Sequence, residues 1–436
     1  MQNKTDNLSY LKRIMRGNIK MAGPGSYLFG EEERNELLDV MESGYLFRYG
    51  DEENPCFKRK VATFEKEFAE YSGINHCVAV SSGTGALMCC LAAIGIGPGD
   101  EVIVPGYTFI ASISSIILSH AIPILAEINE SLTIDPEDIK KKITGKTKAI
   151  MPVHMLGNPC DMDEIIKIAE EYNLYVIEDC CQAAGASYKG RKAGTIGHMG
   201  AFSLNIFKTI TSGDGGMVIT NDYDLYERAF AFHDQGHKPN RMGVEVGKRS
   251  IVGMNMRLNE LSGAVALAQL RKLDTILALL HEKKKKLKDS IEAYIKDIPD
   301  VYFRKLNDEG ECATLMTLLF KDKQKADLFA EKIGAKTIVH SGWHVYNNME
   351  QILGKKTATD YGCPYVCEAY GREIEYKAHM LPITDNILER AVNISVGVVD
   401  KGLGSPFGIN ITSTDDEIAE VACEIITLLK QVTLRT

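Results

Sequence analysis

The sequence predicts an α/β fold, with a large domain built on a mostly parallel sheet covered by helices and a smaller α+β C-terminal domain. Two observations lead there. From about residue 75, short apolar runs alternate with longer amphipathic ones, the rhythm of strand, helix, strand. The short runs are apolar along their whole length, as strands buried on both faces are. The length, 436 residues, exceeds one small domain and is consistent with two or three compact units.

Taken in order, His76 to Val80 reads as a strand and Gly83 to Ile94 as a helix. Glu101 to Val104 is a strand, followed by a helical stretch around Ala111 to Ser119. Ile122 to Ile128 and Ala149 to His154 are strands. Met162 to Tyr172 is a helix, and Leu174 to Asp179 a strand. Gly200 to Thr220 reads as strand, loop, strand. A long helical pattern runs from Leu258 to about Ile295, with a break expected near Asp274. That break marks the hinge. The expected division is an N-terminal extension over 1–25, a large domain over 26–275 and a small domain over 276–436. The last helix has Thr414 as its N-cap and Asp415, Asp416 and Glu417 in its first turn. Ile418, Val421, Ile425 and Leu428 lie on one face.

Composition excludes several function classes. The net charge is -9, from 50 basic and 59 acidic residues, which argues against a nucleic-acid partner. The run Lys283-Lys284-Lys285-Lys286 reads as a solvated helix face. Eleven cysteines are scattered without a C-x-x-C, which fits a reduced cytoplasmic compartment. Cys363 and Cys367 lack a second ligand pair, so no metal site is expected. Met1 to Lys20 has no signal-peptide core. No apolar stretch reaches the length of a membrane span.

Three segments carry chemistry. Ser81-Ser82-Gly83-Thr84-Gly85 places small residues between a strand and a helix. The free N–H groups of a helix N-terminus with small side chains suit an anion, with a phosphate as the expected guest. No lysine follows as in a P-loop, and the G-x-G-x-x-G spacing is absent. Asp179 ends the apolar strand of Val176-Ile177-Glu178-Asp179. Ligands of open α/β sheets bind beyond strand carboxyl ends, and a carboxylate there can keep a cofactor ring nitrogen protonated. Gln182, three residues on, could reach a ring substituent. Lys208 is a lone lysine in an uncharged stretch, Phe202 to Gly213. Partly desolvated, it is expected to have a lowered pKa and serve as an amine nucleophile. Ser203, five residues earlier, could serve the phosphate of the same cofactor. Each feature also has an ordinary structural explanation. The order phosphate cup, Asp, Lys on one α/β chain is what a transaminase using pyridoxal phosphate requires.

With these motifs in place, the chain resembles the DegT/StrS family of sugar aminotransferases, of aspartate aminotransferase fold type I. The resemblance runs from Gly23 to Leu429. It is densest from Phe64-Glu65-Lys66-Glu67-Phe68 to Gln269-Leu270. It includes Val80 to Leu87, Gly97 to Pro105, Thr108-Phe109, Ile150 to His154, Ile177 to Gln182 and Gly213 to Asp222. It implies that Lys208 is the Schiff-base lysine of pyridoxal 5'-phosphate. It further implies that Gly83, Thr84 and Ser203 bind the phosphate, and that Phe109 stacks on the ring. Asp179 would pair with the ring nitrogen, and Gln182 would contact the ring hydroxyl. Gly253 to Arg257 matches a segment that reaches a neighbouring subunit, so Asn255 would touch the partner's phosphate in a homodimer. The implied donor is glutamate or glutamine and the implied acceptor a keto-sugar.

The sequence also departs from the family. Leu204 replaces the usual aromatic, whereas the lysine that the dehydratase branch replaces with histidine is retained. The stretches 343–348 and 398–410 differ most, and they leave the acceptor open: a nucleotide-linked 4- or 3-keto-hexose, a free or phosphorylated keto-sugar, a cyclitol ketone or a keto-derivative of an eight-carbon sugar acid. Arg257, His344, Tyr346 and His379 are candidates for the acceptor pocket. The competing readings are another reaction of the same cofactor, such as elimination, and a non-catalytic regulatory or scaffold protein. A scaffold would need neither Lys208 nor Asp179.

Overall fold

The computed structural model describes residues 22–433, apart from 52, 240–246, 297 and 359. The expectation for Met1 to Lys20, and most of the expected 1–25 extension, lie outside the described residues.

Seven strands form the main sheet: β1 (His76–Val80), β2 (Glu101–Pro105), β3 (Ile122–Ala126), β4 (Thr147–Ile150), β5 (Tyr175–Asp179), β6 (Met199–Ser203) and β7 (Gly216–Thr220). Their spatial order is β1-β7-β6-β5-β4-β2-β3. Only β7 runs against its neighbours. The reason is the connection. A parallel return runs through a crossover over the sheet, usually a helix, and none lies between β6 and β7. Residues 204–215 instead fold straight back, so that Ser203 pairs with Gly216 and Gly200 with Ile219. β7 then pairs along all of β1, from His76 opposite Thr220 to Val80 opposite Gly216.

The six parallel strands put their carboxyl ends along one edge. Helix α1 (Gly83–Ala93) leaves β1 there, and α2 (Ile110–Leu118) follows β2. Strands β1 to β3 are buried almost throughout, in line with their unbroken apolar sequence. Two expected strands are shorter in the structure. The third ends at Ala126 rather than Ile128. The fourth ends at Ile150, because Pro152 has no N–H for a ladder, and Val153 keeps only one bridge, to Asp179.

A second sheet of β8 (Val301–Phe303), β9 (Leu315–Phe320) and β10 (Ala391–Ser395) is antiparallel throughout. One apolar cluster joins it to the main sheet, running from Phe64, Phe68 and Phe202 through Leu280 and Leu287 to Ile394 and Ile425. The long helical pattern breaks at Lys272, between α3 (Glu260–Arg271) and α4 (Leu273–Ile295).

Two surface expectations are corrected. The lysine run is not wholly solvated, because Lys284 is buried and paired with Glu311. It lies three residues before Leu287, on the inner face of α4. In the last helix, α5 (Asp415–Thr433), the fully buried face is Ile418, Ala422, Ile425, Leu429 and Val432. Val421 and Leu428 pack at its margin. Thr414 and Glu417 form the reciprocal cap, with the Glu417 N–H donating to Thr414 Oγ1 at 3.3 Å and the Thr414 N–H to Glu417 Oε2 at 2.7 Å.

Candidate active site

A cavity of about 520 Å³ opens at the carboxyl edge of the main sheet. It gathers Gly83, Thr84, Phe109, Asp179, Gln182, Ser203, Lys208 and His344, although these residues are spread over more than half the chain. The sheet does the gathering: β1, β2, β5 and β6 each deliver the segment beyond their carboxyl end.

At the end of β1, Ser82 caps α1, its Oγ accepting the Gly85 N–H at 3.0 Å. Gly83 and Thr84 then present the first amides of the helix, which have no intrahelical acceptor. A Cβ on Gly83 would lie 2.7 Å from the Cβ of Ser203, so only glycine leaves this concavity open. Ser203 ends β6 and is itself buried.

At the end of β5, Asp179 is 3% exposed. Both carboxylate oxygens are fixed by the protein. The Cys181 N–H donates to Oδ1 at 3.0 Å and the Ser112 hydroxyl to Oδ2 at 2.6 Å. Ser112 lies 2.6 Å from Thr108 Oγ1, so a chain of hydroxyls leads to the carboxylate. Sequence reasoning missed Ser112. Nothing in the sequence singles it out, since Ser112, Ser114 and Ser115 share the same helix and only the fold brings Ser112 to Asp179.

Lys208 sits in the return between β6 and β7, and its N–H donates to the Asn205 carbonyl at 2.9 Å. The loop is braced from behind by residues 23–26. The Gly23 N–H and the Ser26 hydroxyl both donate to the Ile206 carbonyl, at 3.0 and 3.1 Å.

Phe109 is 40% exposed, a large apolar ring left facing the cavity. Its ring centroid lies 5.2 Å from that of His344. Burial and the Lys208 charge push the His344 imidazole down to about 4, so it is neutral at physiological pH. Asp400 also lines the cavity, and burial raises its carboxyl above the usual range. Asp400 and Trp343, the chain's single tryptophan, complete the mouth beside His344.

Other expected site residues lie elsewhere. Tyr346 is fully buried, and its hydroxyl donates to Asp385 Oδ2 at 3.2 Å. His379 Nδ1 meets the same oxygen at 3.0 Å, so these two form a separate cluster outside the cavity. Arg257 pairs with Asp234 and lies over the Phe47 ring. Asn255 is exposed and is not part of this chain's own cavity lining.

Behind the cavity, His154, Glu178 and Cys180 bring possible ligand atoms within 4.8 Å of one another. The protein already satisfies them. Glu178 accepts from the amides of Gly194, Ile196 and Gly197 and pairs with His154, whose Nδ1 accepts the Cys160 N–H.

The sequence matches the DegT/DnrJ/EryC1/StrS aminotransferase family over residues 28–398. It is 42% identical to GDP-perosamine synthase of Caulobacter vibrioides over 247 residues, 56% of this chain and 63% of that protein. It is 35% identical to the spore coat polysaccharide biosynthesis protein SpsC of Bacillus subtilis over 306 residues, 69% and 75% of the two chains. The chain thus spans less than two thirds of the first of these relatives. The fold superposes on an aminotransferase from Psychrobacter cryohalolentis with a TM-score of 0.73 at 28% identity, covering 93% and 98% of the two chains.

Proposed function

The chain belongs to the DegT/DnrJ/EryC1/StrS aminotransferase family, and from that membership we propose that it uses pyridoxal 5'-phosphate to move an amino group from glutamate or glutamine to a keto-sugar. One observation carries the reading. A lysine amine, a sheet-end carboxylate and a helix N-terminus open to anions all face a single cavity.

The residues present fit the cofactor. The concavity at Gly83, which a Cβ would close, suits a phosphate. The exposed face of Phe109 suits a flat ring. When bound, pyridoxal phosphate supplies an aldehyde carbon for amine exchange and a ring that draws electrons from the reacting carbon. Gly83 and Thr84 hold the phosphate through their amides, and Ser203 through its hydroxyl. Asp179, fixed at both oxygens, holds the proton of the ring nitrogen, and Gln182 donates to the ring hydroxyl. Lys208 would anchor the aldehyde end, and its amine would hold and pass the proton at the reacting carbon. Neutral His344, Asp400 and Trp343 receive the acceptor. They offer hydrogen bonds and an aromatic face to a polyhydroxylated ketone, nucleotide-linked or a sugar acid or phosphate.

A second copy completes the unit in this reading. Val252 and Met254 are 88% and 52% exposed, and Leu46 and Phe47 are exposed nearby. Asn255 follows Met254 in the chain and is exposed beside it; in this reading it reaches the partner's phosphate. Among the described residues no helix is long and apolar enough to cross a membrane. The eleven free cysteines suit a reducing, cytoplasmic setting.

The test is an absorption spectrum of the purified protein before and after glutamate. A visible band that moves to the near ultraviolet is expected. No band after pyridoxal phosphate is supplied would overturn the reading. A band unmoved by glutamate or glutamine would overturn the donor.

A further inference from the structure

Gln182 is held by a residue far from it in sequence. The Leu156 N–H donates to Gln182 Oε1 at 3.0 Å. An N–H needs an acceptor, so the amide orientation is fixed: the oxygen faces Leu156 and the NH2 group faces the cavity. Gln182 therefore offers only donors to whatever occupies the site.

Leu156 is an unusual anchor. It has φ 57° and ψ 31°, a left-handed conformation that costs an L-residue about 1–2 kcal/mol. Such a backbone persists only where its surroundings enforce it. Among the groups that hold this turn is Arg304, which follows β8 of the small sheet. Its guanidinium donates to the Met155 carbonyl at 3.4 Å and to the Leu156 carbonyl at 3.1 Å. The Arg304 side chain is 1% exposed and is held in turn by Glu311, with Nη2 3.1 Å from Oε2. Glu311 also pairs with buried Lys284 of α4.

We propose that Arg304 is a positioning residue for the cofactor site. By holding the Met155 and Leu156 carbonyls, it aims the Leu156 N–H at Gln182 and so turns the Gln182 donors toward the ligand's ring oxygen. A buried ion pair needs only charge balance; clamping two adjacent carbonyls needs the fork of an arginine, which a lysine lacks. The inference rests on the cofactor reading above.

A double-mutant cycle tests it. Wild type, Arg304→Lys, Gln182→Ala and the double variant are purified full length with cofactor. Each is dialysed against graded pyridoxal 5'-phosphate, and Kd is read from the visible absorption. Thermal unfolding is followed in parallel. Arg304→Lys keeps the charge beside Glu311 and is expected to raise Kd about tenfold, the loss of roughly one charge-assisted hydrogen bond. In the Gln182→Ala background it is expected to change Kd less than about twofold, a coupling a purely structural role would not give. Its effect on unfolding should be the same in both backgrounds. Equal losses of affinity in both backgrounds, or no loss in wild type, would overturn the proposal. If Arg304→Lys does not fold, Glu311→Gln, which loosens the same guanidinium, goes through the same cycle and must show the same dependence on Gln182. If wild type itself binds no pyridoxal phosphate, the functional reading fails and this inference fails with it.

Discussion

Lys208 and Asp179 reach the same cavity from two adjacent strands, and each has its place fixed by short-range bonds rather than by the other. Lys208→Ala is expected to abolish amine exchange, at least about a thousandfold, on the scale of losing a positioned acid–base group. Turnover is measured with glutamate and any accepted ketone, and a folded protein by circular dichroism with wild-type turnover would sink the assignment. Their place at the cavity was legible in the sequence, Lys208 as a lone charge within an uncharged stretch and Asp179 as the last residue of an apolar strand. Ser112 and Arg304 were not. A serine in an apolar helix has no distinguishing pattern, and Arg304 meets Leu156 across 148 residues, a pairing only the fold creates. His344 gives a prediction of a different kind. Burial and the Lys208 charge bring its folded pKa to about 4, below the ordinary value near 6.5. Between these values the unfolded chain binds the proton and the folded chain does not, so stability falls as pH drops through that window. At pH 5 the contribution lost is about 2 kcal/mol. His344→Gln should flatten the decline between pH 6.5 and 4 in denaturant titrations, and a slope unchanged from wild type would mean the imidazole is already solvated.

The return between β6 and β7 shows how an element carries a residue. Its sequence signature, an uncharged stretch leading into Gly213-Asp214-Gly215-Gly216, announced a strand, a loop and a strand, and the structure has them. What holds the loop in place was not readable. A segment far ahead of the first expected strand at His76, 23–26, closes against its back. A Cβ on Gly23 would meet the carbonyl carbon and oxygen of Phe207 and the carbonyl oxygen of Lys208. Backbone cannot swing aside as a flexible side chain can, so the loop or the brace must shift. Overpacking of this kind costs about 1–3 kcal/mol. Gly23→Ala should therefore lower cofactor retention about tenfold or more on gel filtration, with less effect on overall unfolding; full retention would show that the brace is not needed. Boundaries were less legible than elements. Pro152 shortened β4, and the inner face of α4 claimed Lys284 from a run whose charge pointed outward. In both cases a tertiary demand, a missing ladder donor or a buried carboxylate, overrode a local pattern.

At the scale of the whole molecule, the exposed apolar residues are unevenly placed. Val252, Met254, Leu46 and Phe47 are each about half exposed or more, and the segment that follows Met254 meets the one that carries Leu46: the Glu260 N–H donates to the Leu46 carbonyl at 3.0 Å, and Arg257 lies over Phe47. Exposed apolar side chains on segments tied in this way, on a chain with net charge -9, suit a surface for association. A twofold interface there would bring Asn255, next to Met254, into the contact between copies, as the proposed shared phosphate site requires. Val252→Asp puts a charge on the most exposed of these side chains, 88% accessible in the single chain, so it should not disturb the folded subunit. It should disturb assembly, because an unpaired carboxylate buried between subunits costs several kcal/mol on each side of the axis. Sedimentation velocity is expected to show wild type as a dimer and Val252→Asp as a monomer, with cofactor affinity falling about tenfold as the partner's amide is withdrawn. A monomeric variant that keeps wild-type cofactor affinity would mean that each subunit carries a complete phosphate site. A variant that stays dimeric would place the interface on another face.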